Sequence, residues 1–284
     1  MDRASLIRPA KTRIHGIMPD TSSSETIELA AFANELADQA GQVILPMFRT
    51  NIAVENKQQK NAFDPVTAAD RAGEQIMRKL IEQRYPDHTI RGEEFPDRIG
   101  SGPFTWLLDP IDGTKAFIMG IPVWSTLIGL LKDGVPFIGV MDQSFVTERF
   151  VGTPGGAHVA GPLGRKSLKT RDTTCLDQAF LGTTHPGQNR ASNEFRAYEA
   201  LESRVKHHRY GADAYFYCLL AAGHMDIVVD SDMAAYDIAA LIPIIQSAGG
   251  VVTTWDGASA ADGGDILAAA TPELHSAALE TLAG

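Results

Sequence analysis

The sequence predicts an α/β fold on three observations. Two stretches of helical period come first, a block of short apolar runs with turn signals starts at Trp106, and the second half alternates strand-like and helix-like segments. In order along the chain, Ser22-x-x-Glu25 has capping-box form, and Leu29, Phe32, Leu36, Val43 and Met47 follow near helical spacing. A helix is therefore expected over roughly 25–48. Thr67 is placed to cap a second helix, with Ile76, Leu80 and Ile81 on its apolar face and Pro86 ending it. Trp106–Leu108, Ser125–Leu131, Phe137–Met141 and Glu148–Gly152 read as strands, and Lys132-Asp133-Gly134 is a hairpin signal. The Gly/Pro-rich interval 153–164 is expected to be a hairpin or a connection between domains. Beyond it come a strand near 178–183, a helix 191–204, a strand 207–210, a helix 213–222 and a strand 226–229. A helix 237–248 stopped by Gly249-Gly250, a strand 251–254 and a helix from Pro272 complete the chain.

Composition narrows the class. With 284 residues, 44% hydrophobic and 21% charged, the chain can bury a sizeable core. A formal charge of -10 argues against nucleic acid, whose phosphates are bound by basic surface. It leaves room for a small phosphorylated substrate, provided that metal ions offset the repulsion from nearby acids. Cys175 and Cys218, without C-x-x-C spacing, fit unpaired thiols in a reducing cytoplasm. No run approaches the ~18 consecutive apolar residues that span a bilayer. Residues 1–24 lack the apolar core of a signal peptide. Their basic, Ser-containing composition leaves a transit peptide as the alternative, but Asp2, Asp20, Pro9 and Pro19 spoil an amphipathic helix, so a disordered extension is expected there. The folded part is expected to divide into 25–165 and 166–284.

Several acids stand where apolar runs end. In Asp109-Pro110-Ile111-Asp112-Gly113-Thr114 the plain reading is a strand-to-helix turn, with proline, aspartate and glycine in their usual turn roles. Against it, Asp109 closes a buried-looking run, where an uncompensated charge is costly. Two carboxylates and the Ile111 carbonyl facing one point would suit a hard cation such as Mg²⁺. Gly113 and Thr114 would then offer backbone N–H groups to a phosphate at a helix start. Glu93 in Gly92-Glu93-Glu94 reads alone as a solvated loop residue, Asp70 as an acid in a helix's first turn, and Asp237 as a helix N-cap.

Their joint order carries more. Thr67-Ala68-Ala69-Asp70, Gly92-Glu93-Glu94, Trp106 to Thr114, Tyr236-Asp237-Ile238-Ala239-Ala240 and Ser247-Ala248-Gly249-Gly250 resemble, as a series, the inositol monophosphatase-like family of Mg²⁺-dependent phosphatases. The resemblance runs from about 25 to 275. Lys115 to Ile118, Gly120 to Leu131, Gly139 to Gln143, Glu148 to Phe150 and Arg209 to Tyr215 look most like its histidinol-phosphate phosphatase branch.

The resemblance implies a sugar-phosphatase-like, five-layer αβαβα sandwich and a homodimer. It implies two or three Mg²⁺ ions held by Glu93, Asp109, the Ile111 carbonyl, Asp112 and Asp237, with Asp70 beside a weaker ion. Glu93, Thr114 and Asp70 would serve catalysis, the first two by orienting and deprotonating water. Ile111, Asp112, Gly113, Thr114 and Asp237 would touch the phosphate end of the substrate. Gly211, Asp213 and Asp230 would meet the rest, two carboxylates suiting the amine and imidazole of histidinol phosphate, and Arg209 would contact the phosphate or the domain interface. Arg209 reads equally as a surface arginine. Inositol phosphate and 3′-phosphoadenosine 5′-phosphate are the alternative substrates. A non-catalytic interaction protein of the same fold is the alternative from another class.

Overall fold

The computed structural model describes residues 24–56, 65–187 and 192–284. The extension expected at 1–24 lies outside them except for Ser24. Helix α1 (Ser24–Ile44) buries Leu29, Phe32, Leu36 and Ile44, and a 3₁₀ turn at Leu45–Met47 carries Pro46. Strands β1 (Val54–Asn56) and β2 (Pro65–Thr67) form a small antiparallel pair. Helix α2 (Ala68–Arg84) starts in a true capping box. Thr67 Oγ1 accepts from the Ala69 amide, and Asp70 reaches back to the Thr67 amide at 2.8 Å. Its buried stripe departs from the expected Ile76–Leu80–Ile81 face: Met77 and Ile81 share it with Asp70, Glu74 and Arg78.

Seven strands then form one sheet in the order β3-β4-β5-β6-β7-β8-β9: β3 (Thr89–Gly92), β4 (Phe104–Asp112), β5 (Ser125–Lys132), β6 (Val135–Gln143), β7 (Glu148–Thr153), β8 (Gly156–Gly161) and β9 (Gly164–Ser167). Only β3–β4 is parallel; the rest are antiparallel neighbours. The short helix α3 (Thr114–Ile118) lies between β4 and β5. Asp133 and Gly134 both have positive φ, the backbone of a tight β5–β6 hairpin turn. The interval 153–164 is mostly strand, β8 and its two hairpin turns.

A second sheet has the order β11-β10-β12-β14-β13: β10 (Phe180–Thr183), β11 (His207–Tyr210), β12 (Ile227–Met233), β13 (Val251–Thr254) and β14 (Gly264–Ala269). Among these lie α4 (Ser192–Glu202), α5 (Asp213–Ala221), α6 (Ala235–Ile238) and α7 (Leu241–Ser247), and α8 (Pro272–Ala283) follows β14. Strand β14 escapes sequence reading because it is buried on both faces and shows no alternation.

The cores prove five layers. One joins α1 and α2 to Ile128, Ile138, Val140 and Val151 on the outer face of the first sheet. The next joins Leu127, Met141 and Phe150 on its inner face to α5, α7 and to Val228, Val252, Ile266 and Ala268. A third places Tyr198 of α4 and Leu274 of α8 on Leu181, Ile227, Val229 and Leu267. The layers are α, β, α, β, α, as expected.

The helix expected over 237–248 is broken into α6 and α7 around Ala239 and Ala240. Pro243 has no N–H to give the Ala239 carbonyl, which interrupts the helix at that turn, and the sheet beneath leaves room for the corner. Gly129, Gly139 and Gly152 are cross-strand partners on β5, β6 and β7 and form a side-chain-free row. A Cβ on Gly139 would stand 1.8 Å from the Ala240 carbonyl oxygen, and one on Gly152 would stand 2.3 Å from the Ile244 nitrogen. The α6–α7 corner rests on bare backbone, which brings Asp237 down to the end of β4.

Candidate active site

Strand β4 does not stop at Asp109 but runs to Asp112. Residues three apart on a regular strand point to opposite faces. Here the pairing with β5 slips between Asp109, opposite Leu127, and Asp112, opposite Ser125. The irregularity spans Pro110 and Ile111, which together oppose Thr126, and it turns both carboxylates towards the inner face. Gly113 follows at φ 81, and a Cβ there would come 2.9 Å from an Asp213 carboxylate oxygen. Both the turn and the close approach require glycine.

Around this turn is a cavity of about 210 Å³. From the first sheet and its loops come Glu93, Asp109, Ile111, Asp112, Gly113 and Thr114. From the second half come Thr184, His185, Asp213, Ala214, Tyr217, Asp230, Ser231, Asp232, Met233 and Asp237. Seven carboxylates share it, and among the described residues no lysine or arginine lines it.

Asp237 is the third residue of α6 rather than its N-cap, and its Oδ2 accepts from the Ala234 amide at 2.8 Å. Asp112 Oδ2 accepts from the Ala214 amide at 2.9 Å, tying β4 to α5. Asp109 Oδ1 accepts from the Ile111 amide at 3.0 Å. Thr114 Oγ1 lies 3.0 Å from the Ile111 carbonyl oxygen and 3.3 Å from Asp70 Oδ1. Asp70 is fully buried behind Thr114 and does not line the cavity. Its carboxyl is pushed up by burial, against the pull of its Thr67 hydrogen bonds.

Glu93 stands in a loop that a buried ion pair holds in place. Glu74 accepts from the Glu94 amide at 2.7 Å and pairs with Arg78 at 2.6 Å, while Arg78 donates to the Phe95 and Pro96 carbonyls. The helical spacing of Glu74 and Arg78 was visible in the sequence, but not their inward direction.

Burial drives the Asp109 and Asp112 carboxyls well above the usual carboxylate range, followed by repulsion, from Glu93 first at Asp109 and from Asp213 first at Asp112. Asp213 is pushed to about 6, by burial first and then by Asp230. Among the described residues no three His, Cys, Asp or Glu side chains converge as a ready-made metal cage. The like charges are instead turned to backbone amides. The donor set is nonetheless all oxygen and crowded, which fits a hard cation that keeps several of its own waters.

Of the residues expected on the organic side, Asp213 and Asp230 line the cavity, whereas Gly211 does not, nor does Arg209, expected at the phosphate or the domain interface. The Arg209 guanidinium donates to the His208 carbonyl on the exposed edge of the second sheet. Asp230 accepts from Thr183 Oγ1, the Thr184 amide and the Tyr217 hydroxyl, so both its oxygens brace the wall. Sequence reading missed His185, Tyr217 and Asp232. Asp232 reaches the cavity through an irregular register between Asp230 and Met233 and has φ 58, a strained backbone for a side-chain-bearing residue.

The sequence profile of the inositol monophosphatase family matches residues 25–283. The bifunctional phosphatase IMPL2, chloroplastic, of Arabidopsis thaliana is 39% identical, over 93% of this chain and 77% of that protein. The histidinol-phosphatase of Mycobacterium tuberculosis is 34% identical, over 82% and 90% respectively. Among solved structures, an inositol monophosphatase from Zymomonas mobilis superimposes with a TM-score of 0.81 at 35% identity, covering 92% of this chain and 100% of that one. Fold, acidic cavity and near full-length likeness agree: the chain belongs to the inositol monophosphatase family and is a phosphatase of that family.

Proposed function

We propose that the protein hydrolyses L-histidinol phosphate to L-histidinol and phosphate in a Mg²⁺-dependent reaction. One observation carries the metal dependence: seven carboxylates and no lysine or arginine line the cavity among the described residues. A phosphate monoester is itself an anion and cannot approach such a wall unless cations offset the charge. Glu93, Asp109, Asp112, Asp237 and the Ile111 carbonyl are the groups that would hold them. Mg²⁺ bound there would supply positive charge against the phosphate and make water more acidic.

The chain's own groups do the rest. Thr114 Oγ1, within reach of Asp70 Oδ1 and the Ile111 carbonyl, has a fixed direction, so it and Glu93 can orient an attacking water and take its proton. Asp70 positions Thr114 from behind. The Gly113 and Thr114 amides, at the turn into α3, would bind phosphate oxygens.

Support for histidinol phosphate comes from the organic side and from relatives. Asp213 and Asp232 face the cavity where a substrate amine and imidazole, both able to carry positive charge, find acidic partners. Relatives of 34% and 31% identity, from Mycobacterium tuberculosis and Chlorobaculum parvum, are histidinol-phosphatases. The test is a Mg²⁺-dependent hydrolysis panel of L-histidinol phosphate, inositol 1-phosphate and 3′-phosphoadenosine 5′-phosphate. Histidinol phosphate should give the highest kcat/KM. Preference for another ester would overturn the substrate, and equal turnover after chelation would overturn the metal dependence.

A further inference from the structure

Behind the cavity, the inner face of the first sheet holds polar side chains that the reaction outlined above does not use. Asp112 is the cross-strand partner of Ser125, and Gln143 is the partner of Glu148. The register that pairs Thr126 with Asp142 sets Ser125 opposite Gln143. Cross-strand partners project to one face, so these four form a row over β4, β5, β6 and β7. At ~4.8 Å between strands, the row is about 14 Å long. The adjoining row on the same face, Leu127, Met141 and Phe150, packs in the core with α5 and α7. The polar row therefore lies under α5, and contacts at its two ends agree. Asp112 accepts from the Ala214 amide, and Glu148 accepts from the Tyr215 hydroxyl.

The middle of the row is dry of protein partners. Ser125 and Gln143 are both 0% exposed, yet Ser125 Oγ, Gln143 Oε1 and Gln143 Nε2 have no hydrogen-bond partner among the described residues. Buried hydroxyls and amides are almost always satisfied, by protein or by internal water. Here donors and acceptors stand on the same face of two neighbouring strands, in register with each other, the polar setting that an internal water occupies. Glu148, at the far end, also lines the surface groove beside Arg149 and Gly161.

We propose that Ser125 and Gln143 bind internal water that links the Asp112 carboxylate to the Glu148–Tyr215 pair, and that this row positions Asp112 for Mg²⁺. The positioning role rests on the reading of Asp112 as a metal ligand; the water does not. Groups behind a metal ligand fix its orientation, and losing one weakens metal binding. Gln143→Leu removes both polar functions at nearly constant size. An apolar side chain needs no partner, so the metal-free variant should melt at or above the wild-type temperature. Its Mg²⁺ dissociation constant, by titration calorimetry on the full chain, should rise by about 10–100-fold. Ser125→Ala should behave alike, Ser125→Thr should restore binding, and the double variant Ser125→Ala, Gln143→Leu should be little worse than either single one.

Unchanged Mg²⁺ affinity in Gln143→Leu, or equal losses in Ser125→Thr and Ser125→Ala, would overturn the positioning role. A high-resolution crystal structure of the wild-type chain tests the water directly. Density bridging Ser125 Oγ and the Gln143 amide supports it; an amide bonded only to protein groups refutes it. A wild-type chain that binds no Mg²⁺ removes the metal reading of the cavity and the positioning role together, and the density still decides the water.

Discussion

Strands β4 to β7 face two unlike neighbours. Towards α1 and α2 they present Trp106, Leu108, Ile128, Val140 and Val151, buried and apolar. Towards α5, α6 and α7 the same strands present Asp109, Asp112, Ser125 and Gln143 at one end and Gly129, Gly139 and Gly152 further along. The outer face is a conventional core whose burial holds the sheet flat against two long helices. The inner face gives up part of that burial to seat a charged cavity and a close helix corner. Stability and chemistry are thus divided between the two sides of one sheet, and substitutions on each side should fail differently.

The largest effect is expected at the inner end. Asp112→Asn should lower kcat by at least ~100-fold, because the site loses a charge aimed at the cations that stabilise the transition state. The metal-free protein should melt no lower than wild type, since one of several mutually repelling carboxylates is gone. Steady-state kinetics with a thermal scan in chelator reads both, and a large drop in melting temperature would contradict the division. On the outer face, Ile128→Ala should cost about 2–5 kcal/mol in denaturant unfolding, the usual loss for a buried Ile. The folded fraction should keep its kcat. Gly139→Ala spans both sides of the comparison: its Cβ would collide with the Ala240 carbonyl, costing about 1–3 kcal/mol. Because that collision lifts the corner bearing Asp237, activity should also fall, with the Mg²⁺ requirement shifted to higher concentration.

The smallest effect is a pH dependence on the outer face. His88 is nearly buried and stacks on Tyr85, and its Nδ1 accepts from Trp106 Nε1, which requires the neutral ring. Desolvation holds its pKa below the usual histidine value. With the folded pKa below the unfolded one, the unfolded state takes up the proton first as pH falls. The stabilisation is therefore complete above about pH 6.5 and declines as pH drops through the folded pKa. His88→Phe should flatten this limb of the stability profile between neutral pH and pH 5; an identical slope in the variant would sink the assignment.

Most elements were legible because period and punctuation both pointed to them. Helices α1, α2, α5 and α8 and strands β5, β6, β7 and β13 fall close to their expected places. The acids Glu93, Asp109, Asp112 and Asp237 were legible by residue type and order, and the fold brings them to one cavity. What failed was direction. Pro110 inside a strand was the one signal of the register slip between Asp109 and Asp112, since a central strand tolerates proline only at a bulge, whereas nothing in Asp230 to Met233 announces that Asp232 reaches the cavity. The inward turn of Glu74 and Arg78 was hidden because charged residues at helical spacing read as a solvated face. The helix break at Ala239 did have a local signal, Pro243, which cannot donate to the Ala239 carbonyl; the glycines about a hundred residues away that let the corner approach the sheet did not.

The α6–α7 corner has a consequence in time as well as in space. Asp112 is tied to Ala214 across 102 residues of chain, and Asp237 reaches the end of β4 only when its helix corner has settled on the glycines. Contacts this distant in sequence form late, after the loop between them has been closed. A growing chain on the ribosome can therefore complete the first sheet without acquiring a finished site. Recovery of turnover during refolding should trail recovery of helical and sheet signal, which makes catalysis a clock for the last docking step.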